Sequence, residues 1–323
     1  MSAEKQAPIG SGFGHGSTAM DVLEGFDLSG RNVIVTGGYS GIGLETVRAL
    51  ASKGARVIVP ARRPDTAKDA LTSVAGEVEI ASMDLADLNS VKAFTDDILS
   101  RNMPLHMLIN NAGIMACPEA RVGPNWESQF GINHMGHFSM TNWLRPALCS
   151  ANGARVVALS STAHKISDIR WDDPHFVQGP YDKWRAYGQA KTANSLFAVG
   201  LNALWHDDGI EGFAVHPGGI MTPLQRHLQT EEMIALGWLD ESGEMPPKVR
   251  AMFKSPEQGG ATATWAATNP QLAGLGGVYC EDCEVATLGD DTSPRWAHVQ
   301  PHAVNEDSAH RLWEVSQRLL SEA

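Results

Sequence analysis

Short runs of β-branched and apolar residues recur along the chain, each separated from the next by room for one helix. They fall at residues 32–36, 56–59, 78–83, 105–109, 155–159, 211–215 and 277–280. Several are apolar at every position, such as Val33-Ile34-Val35, which is the pattern of a strand covered on both faces. Segments of helical composition lie between them, at 43–53, 66–74, 90–101, 126–148, 187–206 and 256–267. Regular alternation of this kind predicts an α/β chain with a doubly wound Rossmann fold, a seven-stranded parallel sheet flanked by helices on both faces.

Three stretches depart from the rhythm. Residues 1–30 read as an N-terminal extension to a single Rossmann-fold domain spanning 31–323, with Ser17-Thr18 placed to cap a short helix reaching Glu24. Residues 222–255 carry Met233, Leu236, Trp238, Leu239, Met245, Met252 and Phe253, and are expected to form a mobile apolar lid over a substrate. Residues 284–323 form a C-terminal extension, polar at first, that closes with an amphipathic helix at 308–320.

Bulk properties narrow the classes. A formal net charge of -12 over 323 residues gives no basic footprint for phosphate backbones, so nucleic acid is excluded as a partner. No apolar run approaches the roughly 20 residues of a membrane span, and 1–16 lacks the apolar core of a signal peptide. Four cysteines are too few for a disulfide framework, which places the chain in a reducing, cytoplasmic setting. Cys280 and Cys283 form one C-x-x-C; even with His298 and His302 downstream, no metal is expected there.

In open α/β sheets ligands bind beyond the carboxyl ends of the strands, so the residues following each strand carry the chemistry. The first strand runs into Thr36-Gly37-Gly38-Tyr39-Ser40-Gly41-Ile42-Gly43. Glycines there allow a tight turn and close approach to a pyrophosphate at the next helix N-terminus; a turn serving packing alone is the alternative. The second strand ends in Pro60-Ala61-Arg62-Arg63, with no acid for a ribose hydroxyl and with arginine suited to a 2′-phosphate. Arg62 therefore favours NADP(H), leaving NAD(H) open, unless these arginines are merely solvated charge. Asp84-Leu85 follows the third strand, where the carboxylate either meets an adenine amino group or caps a helix. Asn111-Ala112-Gly113 follows the fourth, as a cofactor contact or a plain Asx turn. Ser160-Ser161 and His216-Pro217-Gly218 follow the fifth and sixth, and Tyr187 and Lys191 share one helix face at i and i+4. Any one of these is weak. Their agreement along six successive strand ends is the signal.

Taken together, Thr36-Gly37 through Gly43, Asn111-Ala112-Gly113, Ser161, Tyr187, Lys191 and Pro217-Gly218 through Thr222 resemble the short-chain dehydrogenase/reductase family over nearly the whole chain. Asn133 to Phe138 and Ser160 to His164 are similar to its retinol-dehydrogenase-like branch. The run from Ser17 to Leu23 is similar to the region preceding the reductase domain of WW-domain-containing oxidoreductases. The resemblance implies a catalytic set of Asn133, Ser161, Tyr187 and Lys191, with Asn133 holding a relay water. It implies that Thr222 contacts the nicotinamide carboxamide, with Pro217, Gly218 and Ile220 on the same face. Tyr39 and Pro60 are less usual at their positions.

On this reading the chain is an NADP(H)-dependent oxidoreductase interconverting a primary or secondary alcohol and its aldehyde or ketone, with a bulky apolar substrate. Tyr187 exchanges the hydroxyl proton, a nearby Lys191 cation lowers its pKa, and Ser161 steadies the substrate oxygen. Two rivals remain: a non-catalytic, cofactor-sensing regulator on the same fold, and a reductase of an activated C=C bond. A homo-oligomer is left open.

Overall fold

The computed structural model describes residues 3–323, so Met1 and Ser2 of the expected extension lie outside the described residues. Its strands are β1 Asn32–Val35, β2 Arg56–Ala61, β3 Glu77–Ser82, β4 Met107–Asn110, β5 Arg121–Val122, β6 Trp126–Glu127, β7 Ala154–Leu159, β8 Ile210–His216, β9 Gly219–Ile220, β10 Phe253–Lys254, β11 Tyr279–Glu281 and β12 Glu284–Val285. Eight of them make one sheet, in the order β12-β11-β8-β7-β4-β1-β2-β3. Seven run parallel, as the sequence pattern predicts, and β12 adds an antiparallel edge through a hairpin with β11. Two residues carry no periodicity, so β12 is invisible in the sequence. Its tight turn holds Asp282 and Cys283 at φ of 49° and 57°.

Burial on both faces explains the unbroken apolar runs. Val33, Val35, Val57 and Val59 face Leu50, Trp265 and Leu23 on one side. Ile34, Ile58, Leu108 and Val156 face Phe94, Phe138 and Phe197 on the other. Each large aliphatic side chain so buried contributes about 1.5–3 kcal/mol, whereas an unpaired polar group at any of these points would cost a comparable amount.

The helices are α1 Gly41–Ser52, α2 Pro64–Leu71, α3 Leu88–Ser100, α4 Ser128–Phe130, α5 His137–Trp143, α6 Arg145–Ser150, α7 Lys183–Trp205, α8 Thr230–Ala235, α9 Pro247–Arg250, α10 Pro256–Gly259, α11 Ala261–Thr268 and α12 Glu306–Ser321. Side-chain caps set several starts. Asp87, Asp182 and Asn305 accept first-turn amides of α3, α7 and α12, so α7 begins at Lys183 rather than at Tyr187.

The single helix expected over 126–148 is not what forms. Trp126 and Glu127 pair with β5, and the Glu127 carboxylate then accepts the Gln129 and Phe130 amides at 2.9 and 2.7 Å to start α4. Residues Gly131–Gly136 wind as a wider π-helical turn before α5. Pro146 cannot donate, so α5 ends at Leu144 and the chain restarts as α6 with proline in its first turn.

The leader has its own anchors. Thr18 and Asp21 exchange side-chain-to-amide hydrogen bonds around a single helical turn, Asp21–Leu23. Further upstream, the Gln6 amide donates to the Tyr279 and Ala286 carbonyls and accepts from the Tyr279 amide, lying along the β11 edge. At the other end, α12 packs on α7, with Trp313 stacked on Phe197 and edge-on to Phe138 and Trp205.

Candidate active site

Strand order reverses between β1 and β4, which opens a crevice beyond their carboxyl ends. A cavity of about 1240 Å³ occupies it. Gly37, Tyr39, Ser40, Gly41, Ile42, Arg62, Asp84, Leu85, Asn111, Ala112, Gly113, Ser161, Tyr187, Lys191, Pro217, Gly218, Ile220 and Thr222 all line it. Two expected residues do not. Gly43 and Asn133 lie just behind the wall.

At the β1–α1 turn the chain is pinched. Gly37 and Gly41 hold φ of 64° and 53°, a region where a side chain is strained. A Cβ at Gly43 would come within 2.4 Å of the Asn111 amide nitrogen and 2.5 Å of the Gly37 carbonyl, so this glycine seats α1 against β4. Ser40 precedes α1 but makes no capping bond, which leaves the first-turn amides without a side-chain acceptor. Arg62 and Arg63 are exposed, with no partner among the described residues. Asp84 accepts the Ala86 amide at 3.0 Å in an Asx turn; the helix cap there is Asp87 instead.

In the other half of the crevice the groups around α7 are closely tied to one another. Ser161 and Ser160 look alike in sequence but face opposite ways. The Ser160 hydroxyl donates to the Lys191 carbonyl and accepts from Ser195, both at 2.8 Å, and is buried. Ser161 lines the cavity beside Tyr187, its hydroxyl accepting the Ala163 amide at 3.1 Å. The Lys191 ammonium donates to the Leu159 carbonyl at 2.8 Å and lies 5.5 Å from the centre of the Tyr187 ring. Burial, opposed only in part by the neighbouring Ser161 hydroxyl, pushes Tyr187 well above the usual phenol range. Burial also draws Lys191 down to about 8. The expected lowering of Tyr187 by Lys191 is therefore not the dominant effect here: loss of solvent outweighs it, and the phenol holds its proton.

Asn133 occupies the π-helical turn. Its side chain accepts the Ile114 amide and donates to the Ile114 carbonyl, both at 2.9 Å. A Cβ built on Gly113 would meet Asn133 Oδ1 at 3.2 Å and Lys191 Nζ at 3.8 Å, so the two side chains flank one glycine. Sequence reasoning overlooked the support beneath. Thr36 Oγ1 accepts the Asn111 and Ala112 amides at 2.9 Å and meets His137 Nε2 at 2.8 Å. His137 Nδ1 in turn meets the Asn133 carbonyl at 3.0 Å. Burial lowers His137 to about 4, so it is a neutral strut. Thr36, directly after β1, offers a strand-end signal; His137, at the join of the π turn and α5, has no such position to mark it.

One wall of the cavity is apolar. Leu224, Leu228, Met233, Leu236 and Trp238 from residues 222–255 pack with Met115, Ala163, Trp184 and Tyr187. The segment is tied down by the parallel pair β9–β10, an edge contact of Trp238 with Phe253, and an ion pair of Lys183 with Glu232. Across the cavity, Cys280 and Cys283 are buried thiols, burial pushing Cys283 up to about 11. His302 bonds the His164 carbonyl at 3.0 Å instead. No cluster of three or more metal-ligating side chains occurs among the described residues, and no helix there is long and apolar enough to cross a membrane.

Similarity to known proteins agrees with this geometry. Residues 31–233 match the family described as short chain dehydrogenase. A probable oxidoreductase of Streptomyces lividans is 43% identical over 91% of this chain and 99% of its own length. Mouse (Mus musculus) retinol dehydrogenase 12 is 36% identical over 91% of this chain and 87% of its own. The Homo sapiens WW domain-containing oxidoreductase is 33% identical over 95% and 72%. Among solved structures, an uncharacterized protein from Mycobacterium Paratuberculosis superposes with a TM-score of 0.71 at 31% identity, covering 94% of this chain and 97% of that one. The Pseudomonas aeruginosa RhlG/NADP active-site complex gives a TM-score of 0.60 at 25% identity, covering 79% and 96%. The chain belongs to the short-chain dehydrogenase/reductase family, NAD(P)-dependent oxidoreductases acting on CH–OH donors.

Proposed function

We propose that this enzyme reduces a bulky, largely apolar ketone or aldehyde with NADP(H), and runs the reverse oxidation, through Tyr187 with Ser161, Lys191 and Asn133 around it. The observation that carries the reading is the convergence of Ser161, a buried Tyr187 and Lys191 on one large cavity, with the Lys191 ammonium 5.5 Å from the Tyr187 ring. A phenol that keeps its proton at neutral pH is the acid that carbonyl reduction requires.

The open half of the crevice fits a dinucleotide phosphate. Gly37, Tyr39, Ser40, Gly41, Ile42 and Gly43 would hold the pyrophosphate through the free α1 amides, and the unpaired Arg62 would take the 2′-phosphate. Asp84 and Leu85 would flank the adenine, with Asn111, Ala112 and Gly113 along the backbone. Lys191, Tyr187, Pro217, Gly218, Ile220 and Thr222 would surround the nicotinamide end. Structures of this fold are described with NADP and with NADH, so the preference for NADP(H) rests on Arg62 and the missing acid. Once bound, the cofactor supplies the hydride.

The chain supplies the rest. Tyr187 passes its phenolic proton to the substrate oxygen, and Ser161 donates a hydrogen bond to the same oxygen as charge builds there. Lys191 positions the phenol, and Asn133 links that lysine toward solvent. Residues 222–255 act as the lid, their leucines, Met233 and Trp238 matching an apolar substrate body. Four free thiols fit a reducing compartment. Replacing Tyr187 with Phe is expected to lower kcat for ketone reduction by roughly 10²–10⁴-fold while NADPH still binds, read by stopped-flow and fluorescence titration. Near-normal turnover in that variant would overturn the assignment.

A further inference from the structure

The cavity has a second polar locus, at the carboxyl ends of β8 and β11, that proton and hydride transfer leave unused. β8 and β11 run in parallel with His216 directly beside Glu281, and Ser160 extends the row on β7, its amide bonded to the Val215 carbonyl at 2.8 Å. All three side chains leave the sheet on the face that carries α7. Two strand spacings separate Glu281 from Ser160, roughly 10 Å.

The charges at this locus cancel. Lys254 is buried beneath Gly218 and pairs with Asp282 at 2.5 Å. Lys165 donates to the Pro294 and Ala297 carbonyls, and the His298 amide donates to Glu281 Oε1 at 2.8 Å, folding residues 294–298 over the site. Burial, reinforced by Asp282, pushes Glu281 up to about 7, and burial draws His216 down to about 3. Glu281 Oε2 and His216 Nδ1 are left buried without hydrogen-bond partners among the described residues. Both residues line the cavity, and His216 is 8% exposed. Buried unpaired polar atoms are costly, and a carboxyl torsion is soft enough to turn Oε2 toward an incoming group.

We propose that this pole receives a neutral hydroxyl at the substrate end remote from the reacting carbonyl, donating to Glu281 and accepting from His216. Resting on the carbonyl-reductase reading, this makes the substrate class an amphipathic hydroxy-ketone or hydroxy-aldehyde with its apolar body along the lid. A cationic group would meet Lys165 and Lys254, and an anionic one Asp282 and Glu281. A hydroxyl is a compact group that both donates and accepts without adding charge.

The test compares para-hydroxyphenyl cyclohexanone with phenylcyclohexanone by calorimetry on the NADP-loaded enzyme, and then by kcat/KM. Wild type should bind the hydroxylated ketone about tenfold more tightly, with the gain in KM rather than kcat, and Glu281→Leu should bring the affinity ratio to unity. Equal affinities in wild type, as when only a buried water occupies the pole, overturn the proposal, and that result needs no folded variant. A ratio that persists in Glu281→Leu overturns it as well. Binding needs no turnover, so a retained preference without any reduction would sink the catalytic reading and leave the pole standing.

Discussion

The two halves of the crevice treat their polar groups in opposite ways. Along β1–β3, Arg62, Arg63 and the first-turn amides of α1 are left without side-chain partners among the described residues. Along β7 and α7, Ser160, Ser195, Lys191 and Asn194 are tied to one another or to the Leu159 and Lys191 carbonyls within 3.2 Å. Open donors suit a large anion that brings its own acceptors and exchanges them with water. A closed, dry network suits a reaction centre, where donors must already be aimed when charge develops. The closed half also explains why its phenol and ammonium sit so far from their values in water.

The sharpest probe of that contrast is the serine pair. Ser161→Ala should cut kcat by roughly 10²–10³-fold, as loss of an oxyanion donor does. Ser160→Ala should leave kcat near wild type and cost about 1 kcal/mol of stability, because its hydroxyl only braces α7. If the two variants behaved alike, the division between facing and bracing hydroxyls would fail.

The closed region should also make the fold sensitive to acid. Burial lowers His134, His164 and His216 to about 3 and His137 to about 4. Each folded value lies below the unfolded value near 6.5, so the unfolded chain binds more protons at low pH. Their stability contribution is complete above about pH 6.5 and is lost as pH falls toward 3 or 4. Each histidine contributes about 1.4 kcal/mol per pH unit in that window. Thermal melts should therefore show Tm falling from pH 7 to pH 5, the four histidines together outweighing Glu281, whose raised carboxyl gains stability over the same span; a flat Tm over that span would contradict the buried, neutral state.

Smaller effects are expected on the open side. Gly43→Ala forces a Cβ onto the Asn111 amide and should cost about 1–3 kcal/mol. Gly14→Ala, with nothing within 4 Å, should leave Tm unmoved. Arg62→Asp should weaken NADPH binding about tenfold more than NADH binding, near the 1.4 kcal/mol of one exposed phosphate contact. Equal losses for the two cofactors would remove Arg62 from the 2′-phosphate.

Much of this architecture is legible in the chain, for definite reasons. A parallel sheet buried on both faces demands unbroken apolar runs, so β1, β2, β4 and β7 announce themselves. Parallel strands deliver their carboxyl ends to one edge, so Gly37, Arg62, Asp84, Asn111, Ser161 and Gly218 can be read as neighbours from order alone. The failures are equally physical. A two-residue edge strand has no period, and a helix interrupted by a π turn and by Pro146 keeps a helical composition throughout.

The sequence by itself determines the seven parallel strands and the row of residues along their edge, because these follow from periodicity and spacing that local chemistry enforces, while its motifs carry the family resemblance. Only the tertiary structure decides which of two adjacent serines faces the cavity, that Thr36 and His137 brace Asn133, and that Glu281 stands beside His216. Those relations depend on strand register and on burial by segments far away in the chain. It is also burial that sets the phenol and the lysine against their usual ionisation, since a solvation cost exists only once the surroundings have closed.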